Sequence, residues 1–179
     1  VLKPDNSWKW YFDAEMNSLM LELNDDMLFR VSLPSKLLTP EAKISDIFNV
    51  DDIEAYQNFQ EQIAHLPISA ARKCELALNA TAARRFHKPM MPKSWYFVPQ
   101  QGVEPLQGQV ITLMTASCNA HYVVIENSGV ASLCMLADVA TVDLDGVKSM
   151  EFCETIKVMN DRMSPCSVEN EQRHFALVG

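Results

Sequence analysis

The chain has 179 residues, 48% of them apolar and 21% charged, with a net charge of −8 at neutral pH. A body this acidic argues against general binding to nucleic acid or to anionic membrane. No apolar run approaches the roughly 18–20 residues that span a bilayer, and the opening VLKPDNSWKW has neither the apolar core nor the small-residue cleavage site of a signal peptide.

Taken in chain order, the first third reads as a three-strand meander. WKWYF (8–12), SLMLEL (18–23) and MLFRVSL (27–33) are strand-like runs, separated by Asp- and Asn-bearing turns. Trp8, Trp10 and Phe12 share one face of the first run, and Leu19, Leu21 and Leu23 share one face of the second. Thr39-Pro40-Glu41 carries a helix-start signature, a capping residue followed by proline. Asp51-x-x-Glu54 reads as a capping box with Asp51 as the cap. Behind it Ile53, Tyr56, Phe59, Ile63 and Leu66 recur at helical spacing. A second helix is expected from Ser69 to about Arg85, with Ala71, Cys74, Leu78 and Ala82 on its apolar face. Pro89 disfavours helical geometry at Lys88 and ends it.

Beyond residue 93 the helical period disappears. SWYFV, QVITLMT, AHYVVIEN, VASLCML, ATVDL, MEFCETIKVM and HFALV are strand-length, rich in β-branched and aromatic residues, and punctuated by Gly, Asn or Asp. In the MEFCETIKVM run Met150, Phe152, Ile156 and Val158 fall on one side of an extended chain and Lys157 on the other. Several short strands in succession suggest a small barrel or sandwich. The fold class is therefore α+β. An N-terminal α/β domain (1–90), a small sheet with two or three helices, precedes a C-terminal small β-barrel domain (91–179).

The chemistry-bearing motifs are sparse. No G-x-S-x-G, G-x-x-x-x-G-K-[ST], H-E-x-x-H or G-x-G-x-x-G occurs. Cys118-x-x-His121 offers two ligands where structural zinc wants four, and an extended chain points them to opposite faces. It reads better as a core thiol beside a surface imidazole. The five cysteines are odd in number and scattered, which suits a reducing, cytoplasmic setting without a disulfide framework. An initiator methionine is expected before Val1. No metal, cofactor or catalytic residue is assigned. A Cys/His nucleophile remains a rival reading.

Positive charge is concentrated in one place. Residues 72–93 hold Arg72, Lys73, Arg84, Arg85, Lys88 and Lys93 against the single acid Glu75, a window of +5 that leaves −13 on the rest. Arg84 and Arg85 have a purely structural explanation at a helix C-terminus. Lys88 and Lys93 lie beyond the helix, around Pro-Met-Met-Pro. The prolines hold that stretch extended and leave Met90 and Met91 no helix face to bury on. Polarizable methionines bracketed by lysines make a protein-binding surface, with Arg85, Lys88, Met90 and Lys93 as its candidate residues. The alternative is a nucleic-acid-binding module using the same basic segment, 72–93.

KPMMPKSWYFV (88–98) and IKVMNDRM (156–163), with WKWYFD, MLFR, LTP, VDD and ELALNA in the same order, resemble the bacterial cell division protein family ZapC. The matching motifs run from the N-terminus to about residue 163; residues 99–129 and those after Pro165 carry nothing over. The resemblance implies a non-enzymatic cytoplasmic protein at the midcell division ring. Such proteins bind the tubulin-like GTPase FtsZ, promote lateral bundling of its filaments and lower their GTP turnover. It also implies an N-terminal α/β domain with an apolar pocket, a C-terminal β-barrel, a monomer, and no nucleic-acid partner or membrane insertion. By motif match it places FtsZ contact on Leu21, Lys88 and Lys93, and on Arg162 of the MNDR stretch. Leu21 reads equally as plain core.

Overall fold

The computed structural model describes residues 2–166; the strand expected in HFALV, 174–178, lies outside them. Four short strands, β1 (Lys9–Asp13), β2 (Ser18–Glu22), β3 (Leu28–Arg30) and β4 (Asp46–Ile47), pair antiparallel in the order β3-β2-β1-β4. The β1–β2 turn follows from its polar residues. Asp13 Oδ1 accepts the amides of Glu15 and Met16, and Asn17 takes a positive φ of 51°, which asparagine tolerates. Trp8, Trp10, Leu19 and Leu21 are buried as the alternation predicts, whereas Phe12 is half-buried.

Two helices follow, α1 (Val50–Ile63) and α2 (Ala70–Phe86). The cap of α1 lies two residues earlier than the expected Asp51. Asn49 accepts the Asp52 amide (2.9 Å) while the Asp52 carboxylate accepts the Asn49 amide (3.0 Å), a reciprocal box with both orphan donors satisfied. Asp52 is preferred as the inner partner because it is buried against further donors. Thr39-Pro40 opens only a single 3-10 turn, Pro40–Lys43, with no side-chain cap. Ser69 caps α2 through the Arg72 amide. This helix is not amphipathic along its length: Leu76 to Ala83 are all buried, and Ala71 is exposed. Alanines at 77, 80, 82 and 83 let α1 and the second sheet approach from different sides.

The later strands are β5 (Val110–Met114), β6 (Asn119–Asn127), β7 (Ala131–Leu136), β8 (Val142–Asp143), β9 (Ser149–Met150), β10 (Thr155–Met159) and β11 (Met163–Pro165). They form a five-stranded antiparallel sheet, β10-β7-β6-β5-β11, and a separate β8–β9 hairpin. The expected barrel is not what the described residues build: the sheet is open, with β10 and β11 at its edges. The free side of β10 is taken by the chain that precedes the sheet, and β11 ends at Pro165, which has no amide to donate. Two further expectations are corrected. SWYFV is a 3-10 turn at Ser94–Tyr96, because the Ser94 carbonyl accepts the Phe97 amide. The run 150–159 is broken into β9 and β10 by a turn with Cys153 at φ 71°.

The largest apolar core crosses the expected domain boundary. Trp10, Phe59, Leu76, Leu78 and Phe86 share one cluster with Val123, Ile125, Leu133 and Met135 from the five-stranded sheet. A second cluster behind that sheet joins Phe97, Tyr122, Leu136 and Val158 to Leu144 and Met150 around the hairpin.

Candidate functional site

The span from His87 to Gln100, the first part of the link from α2 to β5, is tied down at both ends. At its start the Lys88 amide donates to the Leu37 carbonyl (2.7 Å), and His87 bridges to Leu38. At its far end the Lys93 amide donates to the Lys157 carbonyl (2.8 Å), the Val98 amide to Met114 (2.7 Å) and the Gln100 amide to Asp161 (2.8 Å). Ser94 Oγ accepts the Met159 amide (2.8 Å). The connector thus runs along the outer edge of β10. Pro89 and Pro92 have no amide to tie, so the Pro-Met-Met-Pro segment is held by its ends and by restricted φ.

His87 anchors the hinge with α2. Its Nδ1 lies 2.6 Å from the Lys88 carbonyl and its Nε2 2.8 Å from Thr155 Oγ1. The carbonyl can only accept, so Nδ1 carries the proton and Nε2 accepts from the threonine. Burial pushes the His87 pKa down from its usual 6.5, partly opposed by the Lys88 carbonyl.

The candidate residues divide into three groups. Lys88 and Lys93 are exposed, and among the described residues no carboxylate pairs with either. Met91 is 81% and Trp95 70% exposed beside them, while Met90 is half-buried against the main core. Arg162 joins this group through the backbone: its Nε donates to the Ser94 carbonyl (3.3 Å) and its Nη1 to Asp161 (2.9 Å). Arg85 points elsewhere. It donates to Asp52 (2.7 Å), to the Ile47 carbonyl (3.0 Å) and to Asp46, locking α2 to β4 and the start of α1. Leu21 is wholly buried. It pairs in register with Phe29, which lines a surface cleft of about 380 Å³ with Leu2, Leu23, Leu28 and Cys74. An adjoining cleft of about 400 Å³ shares Leu2 and Cys74 and is walled by Tyr56, Ile63 and Ala70.

The basic window does not form one stripe. Arg72 pairs with Glu75 and lies over the Phe152 ring, 5.6 Å away. Arg84 borders a separate cavity with Leu106 and Glu126. His121, read from sequence as a surface imidazole, is half-buried and paired with Asp138 (2.9 Å). That carboxylate, with a hydrogen bond to Cys166, raises its pKa to about 10. Sequence reasoning passed over Lys157, whose backbone receives Lys93 and which lines a small cleft together with Lys88. Its place opposite Ile156 and Val158 was the available signal.

Fold and site define an α+β protein with two layers around a shared core and an unpaired cationic, apolar segment on its surface. The chain belongs to the ZapC family of cell-division proteins. The N-terminal ZapC model matches residues 1–88 and the C-terminal model residues 89–169. It is similar to the cell division protein ZapC of Photobacterium profundum, 52% identical over the full length of both chains. It also resembles those of Aliivibrio salmonicida (49%, again full length of both) and Vibrio cholerae (47% over 92% of each chain). The family is one of division proteins and not a known enzyme family.

Proposed function

We propose that this protein binds FtsZ at the division ring in the cytoplasm through the 88–95 connector, with residues 1–90 and 91–179 forming the parts it joins. By docking there it promotes lateral bundling of FtsZ filaments and lowers their GTP turnover. The observation that carries the reading is the connector itself: Lys88, Lys93, Met91 and Trp95 stand exposed, with no carboxylate partner for either lysine among the described residues, on an otherwise acidic molecule. FtsZ is acidic as well, so two negative bodies need a local complementary patch to dock. Exposed lysines raise the on-rate and orient the partner, while Trp95 and Met91 supply apolar contact. Tying the connector at both ends lowers the ordering cost of binding.

Bundling requires a second contact, from another FtsZ-binding face or from self-association. Slower subunit release from bundled filaments accounts for lower GTP turnover. The rival use of residues 72–93 for nucleic acid is disfavoured by the separate engagement of Arg72 and Arg85.

The test is FtsZ co-sedimentation with Lys88→Glu and Lys93→Glu. Each is expected to weaken binding with melting nearly unchanged, and wild-type binding should decline as salt rises from about 50 to about 300 mM. Unaltered binding by both variants would sink the reading.

A further inference from the structure

The connector roofs a cleft of about 170 Å³ whose floor is the five-stranded sheet. Three side chains cross that floor in one row. Glu126 on β6 and Lys157 on β10 both stand opposite Leu133 on the intervening β7. With strands about 4.8 Å apart, the two charged residues are separated by roughly 10 Å at the backbone. The roof contributes His87, Lys88, Pro89 and Met90.

Glu126 is in this row because of a β-bulge. The register of β6 against β7 slips between Val124 and Glu126. Val123 and Ile125 face the main core, and strict alternation would send residue 126 to the opposite side with Val124. The extra residue turns Glu126 back to the face under the connector, the re-aiming that bulges commonly perform. Its carboxylate then borders the cleft with Lys88 and Lys157, and also the neighbouring cavity with Arg84. No ion pair joins Glu126 to any of these cations among the described residues.

We infer that this cleft sets the selectivity of the docking surface: Lys157 acts with Lys88 to receive a carboxylate side chain from an extended acidic segment of the partner, and Glu126 opposes it. This rests on the FtsZ-binding reading above. Charge complementarity commits the occupant, because two cations, Lys88 and Lys157, border the cleft against a single acid, Glu126. Met90, Leu133 and Pro89 wall a volume suited to about one side chain of the same segment. The resident Glu126 tempers attraction, so that weakly acidic chains are not retained and strongly acidic ones are. Using repulsion as well as attraction is a common route to specificity.

The experiment measures FtsZ affinity of the full chain carrying Lys157→Gln, Glu126→Gln or Lys88→Glu, at about 150 mM salt, with thermal melting of each. Lys157→Gln is expected to weaken binding, and Glu126→Gln to tighten it, each by about two- to fivefold, the range of single exposed charge pairs. A gain of affinity on removing a carboxylate is a result that a merely structural role would not give. If Lys157→Gln and Glu126→Gln leave affinity unchanged while Lys88→Glu abolishes it, the cleft proposal fails and the docking surface stands. If the wild-type chain does not bind FtsZ, both fail. Should the substitutions alter binding of a single-stranded RNA and leave FtsZ untouched, the proposed occupant is wrong.

Discussion

Asp52 and Arg85 show how one buried charge can organise a junction. A single carboxylate oxygen of Asp52 accepts the indole of Trp10 (3.0 Å), the Asn49 amide (3.0 Å) and the Arg85 guanidinium (2.7 Å). Removing one member of such a buried pair leaves the other charge buried without its counter-ion, which costs about 3–5 kcal/mol. Arg85→Met is therefore expected to lower the unfolding free energy measured in urea by about 3 kcal/mol. Lys88→Met, at an exposed position whose side chain has no ion-pair partner among the described residues, should stay within about 0.5 kcal/mol. An equal, small effect of both would remove the structural role of Arg85. Any loss of FtsZ binding in an Arg85 variant should accordingly come with a stability loss, whereas at Lys88 it should not.

At the scale of elements, the hinge between α2 and the connector carries a pH dependence. Burial holds the His87 pKa below its ordinary 6.5, so the folded state prefers the neutral ring. Its contribution to stability is present above 6.5 and is lost as pH falls through the lowered folded value. Amide protection factors, corrected for the intrinsic pH dependence of exchange, are expected to fall at residues 87–94 as pH is lowered below 6.5, and His87→Asn should flatten that change. An identical pH profile in the variant would sink this. His121 has the opposite sign: its pKa is raised to about 10 by Asp138 and Cys166. Its contribution is complete below 6.5 and is lost as pH rises through about 10. Asp138→Asn should therefore narrow the difference in melting temperature between neutral and strongly alkaline solution.

For the whole molecule, the shared core decides how the parts depend on each other. Leu76, Leu78 and Phe86 pack in one cluster with Val123, Ile125, Leu133 and Met135. Cutting the chain at residue 90 would uncover both sides of that contact at a cost of about 25 cal/mol for each Å² of apolar surface. Residues 1–90 and 91–179 expressed separately are expected to lack a cooperative melt, and to regain one when combined. A sharp melt from either fragment alone would show that its share of the core suffices. The same packing fixes the two layers to which the ends of the connector are tied.

Much of this was legible in local pattern. Strand alternation buried Trp8, Trp10, Leu19 and Leu21, proline ended α2 beside Lys88, and the motifs around 88–98 and 156–163 pointed to the family before any coordinates. Those features depend on neighbours a few residues away, and chain order encodes them directly. Tertiary structure alone decided that Arg85 is spent on Asp52 and Asp46, that the connector covers the β10 edge of a sheet left open among the described residues, and that a bulge brings Glu126 to one cleft with Lys157 and Lys88. Each of those depends on residues 30 or more positions apart meeting in one place. Periodicity within a segment reports which face is apolar, but not what the other face will meet.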